Sequence, residues 1–519
     1  MLGCCAVTGG SETSANARKA TVATGGMVAS SHPEASAAGV AVLKAGGNAA
    51  DAAVGAAAMM NVVKPASCGI GGDAFAIIYM SDTGELRALN ANGRSPYGLS
   101  REYFIERGMT EIGFHGWETV SVPGAVSGWQ MLLDAYGTMT MKELLASPIE
   151  TAERLEPSGP EGKPDLFKPK ELAETLRLLA EGGEEAFYRG EIARRIVEYS
   201  ERTGGFFCVR DFTEHKGEWV NPISTTYGGH AVYECPPPGQ GVAVLEMLNV
   251  LEGFDLKSLG HNSTRYLNLL IEAKRLAFAD IGTYVADPEF RKLSVEGMIS
   301  KDYGAAQRER IVSGQALPKV EAGSAGDYGD DTAYISVVDK DRNACSFICS
   351  NFSGWGSHVA VEGMGIILQN RGRGFSLKEG HLNVMEPHKR PFHTIIPAMM
   401  LNEGRPAMVF GAVGGHLQPQ VQIQVLMNVI EFGMDPQEAI DAPRFAHYGG
   451  NVYDSDTDTV NVRLGKGIPD SVRDELAAMG YEIVDQGGFG SPEAIMIDYD
   501  RGVLLGGSCS DAVVGYDGR

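Results

Sequence analysis

The sequence predicts a mixed α+β protein whose strands lie toward its two ends and whose middle is mainly helical. Three observations carry that expectation. Helical spacing dominates Val126 to Tyr136, Met141 to Leu155, Leu172 to Leu179 and Ile192 to Thr203. Short apolar or alternating runs bounded by glycine and proline flank that region on both sides, from Gly26 to Asn90 and from Ile223 to Gly507. Within the second of these regions, the alternating run that starts at Thr332 turns at Asp339–Asn343 and returns as Ala344–Ile348, a hairpin pattern.

Taken in order, Gly26–Ser30 reads as a strand start. His32-Pro33-Glu34 leads into a helix over Ala35–Ala45 that ends at Gly46-Gly47. Asn48 is a natural cap for the alanine-rich helix Ala49–Val62, which Pro65 stops. The glycines of Gly69-Ile-Gly-Gly-Asp73 precede a strand, Ala74–Tyr79, rather than a helix. No Gly-Lys-Ser/Thr follows them, so they do not form a phosphate loop. Leu86–Asn90 is a further strand and displays Arg94 just beyond its end. After the helical middle, Gly228-Gly229 joins Ile223–Tyr227 to His230–Glu234 as a hairpin. Helices over Val242–Leu251 and Tyr266–Ile281 follow, the second with Arg, Lys and Glu on a polar side. Toward the C-terminus the reading gives strands at Ile395–Leu401, Met408–Gly411, Ala494–Asp498 and Val503–Gly507. A helix over Val421–Phe432 and a short one near Ala439 lie among them.

Composition sets the bounds. The 519 residues allow two to four domains on length alone, and 44% hydrophobic with 21% charged residues is the balance of a globular chain. A net charge of −22 argues against nucleic acid or an anionic membrane as main partner. The most apolar stretch, Ala49–Val63, is too short to span a bilayer, and Met1–Val28 lacks a secretory pattern. The eight cysteines form no CxxC pair, so a reduced, cytoplasmic protein is the expectation. The eleven histidines are scattered, and only His388 and His393 are close, beside Lys389 and Arg390. No metal site and no cofactor is expected.

The chemistry concentrates at the loop-to-strand junction Asp331-Thr332. The preceding stretch Glu321–Gly329 is small-residue and acidic, with three glycines. Thr332 reads either as an ordinary strand start or as a nucleophile whose own α-amine is released by a cut before it. A terminal α-amine titrates near 7.7–8.0 and can serve as the base a threonine hydroxyl needs. Gly414-Gly415 is either a plain turn or a place where backbone N–H groups meet a tetrahedral oxyanion.

Together these segments resemble the γ-glutamyltransferase family (glutathione hydrolase proenzymes) of N-terminal-nucleophile hydrolases, over about Gly26 to Tyr516. The resemblance rests on Ala29-Ser-Ser-His-Pro-Glu-Ala-Ser36, Leu43-Lys-Ala-Gly-Gly-Asn-Ala-Ala-Asp-Ala-Ala-Val54, Gly69-Ile-Gly-Gly-Asp73, Val122-Pro123-Gly124 and Pro238-Gly-Gln-Gly241. It rests equally on Thr332 with Ser336-Val-Val-Asp-Lys-Asp341, Lys389-Arg390-Pro391, Gly414-Gly415 and Ala442-Pro443-Arg444. It implies an αββα sandwich forming one structural domain. It also implies self-cleavage between Asp331 and Thr332 into a large piece, 1–331, and a small one, 332–519, that stay associated. By the same resemblance Thr332 is the nucleophile, Ser350 its supporting hydroxyl, and Gly414 and Gly415 the oxyanion glycines. Arg94 then grips the substrate carboxylate.

The departures from the family pattern are specific. The junction reads Thr332-Ala333-Tyr334 where the family has Thr-Thr-His. Arg371 and Gly374 stand where the family holds an amine with Gln and Asp. His393 and Thr394 replace paired serines, and Phe352 replaces an Asn for which the adjacent Asn351 could substitute. A glycine in place of a cation-binding carboxylate, with an arginine introduced nearby, favours an anion. The leading expectation is therefore an amidohydrolase for a small carboxylate-bearing amide, with an acyl-threonine intermediate. That is the look of the branch containing cephalosporin-acylase-like proteins and oxamate amidohydrolases. Classical glutathione hydrolysis or γ-glutamyl transfer is one alternative, and an uncleaved, non-enzymatic binding relative is another. A homo-oligomer stays open.

Overall fold

The structure, a computed structural model, describes residues 18–312, 314–317, 320, 331–449, 460–485 and 487–518. Two seven-stranded antiparallel sheets face each other. One runs in the order Val513–Tyr516, Gly26–Ser30, Asp331–Val338, Ala344–Phe352, Asp73–Met80, Glu85–Ala91 and Glu218–Val220. The other runs Thr21–Ala23, Val503–Ser508, Ser491–Asp498, Arg405–Val413, Ala398–Asn402, His230–Glu234 and Ile223–Tyr227. We call the first the Thr332 sheet, because it carries that residue on a central strand.

Alternation explains the layers. On Asp331–Val338, Tyr334 and Val338 turn inward to pack with Phe75, Ile348, Met399, Val409 and Ile495 between the sheets. Ala333, Ile335 and Val337 turn outward onto the helices Pro33–Lys44, Ala49–Val63 and Ala125–Tyr136. The small residues Ala52, Ala53 and Ala56 let the second of these helices lie close. Helices Gly241–Leu251, Thr264–Tyr284 and Gln418–Ile430 cover the far side of the other sheet. The result is four layers, α, β, β and α. At Gly411 the two sheets approach so closely that a Cβ would lie 2.3 Å from the Tyr334 ring.

Several expectations need correction. Helix Thr264–Tyr284 has no solvated polar side over its middle: Glu272, Lys274 and Arg275 are all buried. Glu272 and Arg275 pair at 3.0 Å, and Lys274 donates to Gly449 O at 2.7 Å, so the charges are satisfied internally. The strand expected from Ile395 begins at Ala398. The Ile395 and Ile396 amides donate to the side chains of His393 and Gln418, and Pro397 has no N–H to offer a ladder. The closing strand Val513–Tyr516, paired with Gly26–Ser30, was not anticipated. The acidic stretch Glu321–Gly329 lies outside the described residues.

Candidate active site

Thr332 sits where strand Asp331–Val338 is irregular. Asp331 pairs with Phe352 and Ala333 with Cys349, so the register slips across Thr332 and frees it from strict pairing. Its side chain is buried, and Oγ1 lies 3.3 Å from Ser350 Oγ on the neighbouring strand. Ser350 Oγ accepts from the Phe352 amide at 2.8 Å and from Arg371 Nη2 at 3.2 Å. With two donors on it, that oxygen can still give its own hydrogen to Thr332 Oγ1.

Arg371 lies in the turn Arg371–Gly374 and is wholly buried. Besides Ser350, it donates through Nη1 to Thr394 Oγ1 at 2.9 Å, and its guanidinium lies 4.3 Å from the centre of the Phe352 ring. Phe352 adopts φ +79°, a strained backbone for a bulky residue, and thereby offers both its amide and its ring to this cluster. Asn351 does not join it. Its amide donates to Ser67 O at 2.8 Å and its side chain to Pro65 O at 3.4 Å, tying down the turn that follows helix Ala49–Val63.

His393 is equally buried, and the Ile395 amide donates to its Nδ1 at 3.3 Å. The ring proton therefore sits on Nε2, which donates to Asp73 Oδ2 at 3.1 Å. Burial and the Arg371 charge hold His393 well below its ordinary value, so the ring is neutral. Asp73 was missed in the sequence. Its Oδ1 accepts from the Gly93 amide at 2.9 Å, the Gly124 amide at 3.2 Å and Gln369 Nε2 at 2.9 Å. Burial pushes Asp73 up to about 7, against the pull of Arg371 and of those donors. The glycine cluster ending at the first strand residue was its sequence signal.

Gly414 and Gly415 follow strand Arg405–Val413 with φ of 137° and 50°, both in the region that favours glycine. Their carbonyls are tied back: Leu417 N–H donates to Gly414 O at 2.7 Å and Gln240 Nε2 to Gly415 O at 2.8 Å. Among the described residues neither glycine amide donates to a backbone carbonyl. Both precede helix Gln418–Ile430, whose dipole favours negative charge at that end. Gln240 also donates to Thr394 O at 2.7 Å. A continuous chain of contacts thus runs from Gly415 through Gln240, Thr394, Arg371 and Ser350 to Thr332.

Arg94 stands apart from that chain. It donates to Glu289 Oε1 at 2.7 Å and His388 O at 3.1 Å, with Asp287 at 3.7 Å. It lines an open depression of about 430 Å³ with Arg390, His388 and Trp219. No group of three or more His, Cys, Asp or Glu side chains able to hold a metal comes together among the described residues.

Facing antiparallel sheets between helices, with a threonine hydroxyl at the head of a central strand, define the N-terminal-nucleophile hydrolase class. A family model described as Gamma-glutamyltranspeptidase matches residues 35–154 and 159–512, and the chain belongs to that family. It is 35% identical to the glutathione hydrolase-like YwrD proenzyme of Bacillus subtilis (strain 168), covering 94% of this chain and 98% of that one. The acylase ACY 1 proenzyme of Pseudomonas sp. (strain SE83) is 32% identical over 93% of this chain and 92% of its own length. The crystal structure of cephalosporin acylase from Bacillus halodurans superimposes with a TM-score of 0.88 at 36% identity, covering 98% of this chain and 99% of that one.

Proposed function

We propose that the protein cleaves itself between Asp331 and Thr332 and then hydrolyses a small amide that carries a carboxylate. In processing, Thr332 Oγ1 adds to the Asp331 carbonyl carbon, the C–N bond breaks, and the nitrogen takes the hydroxyl proton. Water then hydrolyses the resulting ester, giving the Asp331 carboxylate and a Thr332 with free amine and hydroxyl. In turnover that amine takes the Oγ1 proton as Oγ1 attacks the substrate amide. The Gly414 and Gly415 amides stabilise the oxyanion, the leaving nitrogen takes the proton, and water resolves the acyl-threonine. Ser350 donates to Oγ1, and neutral His393, held by Asp73, adds no charge of its own beside Arg371.

The observation that carries the substrate class is the contact chain Thr332–Ser350–Arg371–Thr394. It sets a guanidinium two hydrogen bonds from the nucleophile, where a carboxylate next to the scissile amide would lie. Oxamate has that shape and no amine. Arg94 is the outer cation, and a carboxylate that reaches it displaces the half-exposed Glu289. The second reading is γ-glutamyl hydrolysis or transfer, favoured by the relative named glutathione hydrolase-like.

Intact-mass measurement tests the cut. The wild-type protein should give two pieces, 1–331 and 332–519, and Thr332→Ala one uncut chain. Steady-state assay of oxamate against γ-glutamyl-p-nitroanilide then separates the substrates. Rapid turnover of the second with none of the first overturns the oxamate-type assignment.

A further inference from the structure

Beyond the contact chain that ends at Ser350, a second group of charges approaches Thr332 from the opposite side. Lys64 closes helix Ala49–Val63, and its Nζ lies 3.5 Å from the Thr332 carbonyl oxygen. The turn that carries it is rigid. The Lys64 amide donates to Met60 O at 2.8 Å, Ser67 N–H donates to Lys64 O at 3.0 Å, and Ser67 O receives the Asn351 amide at 2.8 Å. Ser31 fixes the strand itself, accepting from the Tyr334 amide at 3.1 Å and donating to Glu493 Oε1 at 3.3 Å. Glu493 is wholly buried, and its Oε2 has no hydrogen-bond partner among the described residues.

We propose that Lys64 is a positioning residue for the nucleophile, its ammonium holding the α-amine that processing frees at Thr332 in the unprotonated form. The inference rests on the processing proposed above. The nitrogen and carbonyl oxygen of one residue are roughly 3 Å apart, which puts Lys64 Nζ within about 6–7 Å of that amine. Two like charges at such a separation, near a protein surface, disfavour the second by about one to two pH units. Among the described side chains, the other charged or titratable groups around the site are Glu493 from strand Ser491–Asp498, His32 ahead of the first helix, Arg444, Arg371 and, behind it, Asp73. Burial pushes Glu493 up to about 8, against the pull of Lys64 and Arg444, so near neutral pH it does not cancel the lysine charge. Burial lowers His32 against the pull of Glu34, and Lys64 lowers it further. Arg371 acts in the same sense as Lys64 but is offset by the carboxylate of Asp73, which burial pushes up to about 7.

The test compares pH profiles of kcat/KM for processed wild type, Lys64→Met and Lys64→Arg on whichever of the two amides the wild type turns over. Lys64→Met should move the acidic limb up by about one pH unit. Its rate should fall roughly fivefold at pH 7 and return to within about twofold of wild type at pH 9. Lys64→Arg should keep the wild-type limb. A uniform loss at every pH in Lys64→Met overturns the proposal. So does a limb in Lys64→Arg displaced as it should be in Lys64→Met, a comparison that stands even where Lys64→Met fails to mature. A wild-type protein that remains one uncut chain by intact mass instead overturns the processing itself, so the two failures are distinct.

Discussion

Arg371 and Glu493 show how single buried charges set the behaviour of this site. Arg371→Met removes charged hydrogen bonds to two hydroxyls. It should lower kcat/KM for a carboxylate-bearing amide by about 10- to 100-fold while two pieces still appear by intact mass. An equal loss on an uncharged amide of the same size would count against its role in binding the carboxylate. Glu493 carries a stability signature. Its folded value of about 8 lies above the ordinary carboxyl value of 4.5, so between those values the folded protein keeps a proton that the unfolded chain releases. Its contribution therefore falls as pH rises through that window. Glu493→Gln should flatten the decline, and the drop in melting temperature from pH 5 to pH 8.5 should shrink by roughly 3–6 °C. The loop-to-strand junction at Thr332 and the glycine pair Gly414-Gly415 are local patterns that a sequence displays, but their assigned roles came only from the resemblance to the family. Asp73, Lys64 and Gln240 were not, because their meaning comes from partners hundreds of residues away, such as His393 for Asp73 and Thr332 for Lys64.

At the scale of elements, boundaries set by local chemistry were readable. The Asn48 capping box starts helix Ala49–Val63, and the Gly228-Gly229 turn joins Ile223–Tyr227 to His230–Glu234, both as expected. What local pattern could not reveal was which faces become buried. Helix Thr264–Tyr284 carries Glu272, Lys274 and Arg275, which read as a solvated stripe but are buried, in contact with His447 of strand Phe445–Tyr448 and with Tyr481 just beyond helix Asp470–Ala478. Arg275→Met strands the Glu272 charge in that interior and should destabilise the protein by about 3–5 kcal/mol, measured by urea unfolding of the uncut Thr332→Ala background. A loss below about 1 kcal/mol would mean that Glu272 is held by Tyr481 alone. The late start of strand Ala398–Asn402 has the same origin, since side chains from distant segments take the amides that a ladder would have used.

For the whole molecule, the order of strands matters more than their number. In the Thr332 sheet Asp331–Val338 lies between Gly26–Ser30, from before the junction, and Ala344–Phe352, from after it. The other sheet likewise joins His230–Glu234 to Ala398–Asn402 and Thr21–Ala23 to Val503–Ser508. Neither 1–331 nor 332–519 holds a complete sheet. The processed protein should therefore run as two bands on a denaturing gel and as one species of undiminished mass under native conditions. Recovery of a separately folded small piece would contradict this interleaving.

That interleaving also gives the molecule a history. Before the cut, folding is an event within one chain, and a denatured copy can find its way back alone. After it, the same arrangement has to be rebuilt by collision between two partners, each with unpaired strand edges that invite aggregation. Thr332→Ala should thus refold with a yield independent of protein concentration, whereas the matured enzyme's yield should depend on it. The bond broken in the proposed cut is also the one that made assembly a solitary act, so afterwards rebuilding a molecule requires two pieces to meet.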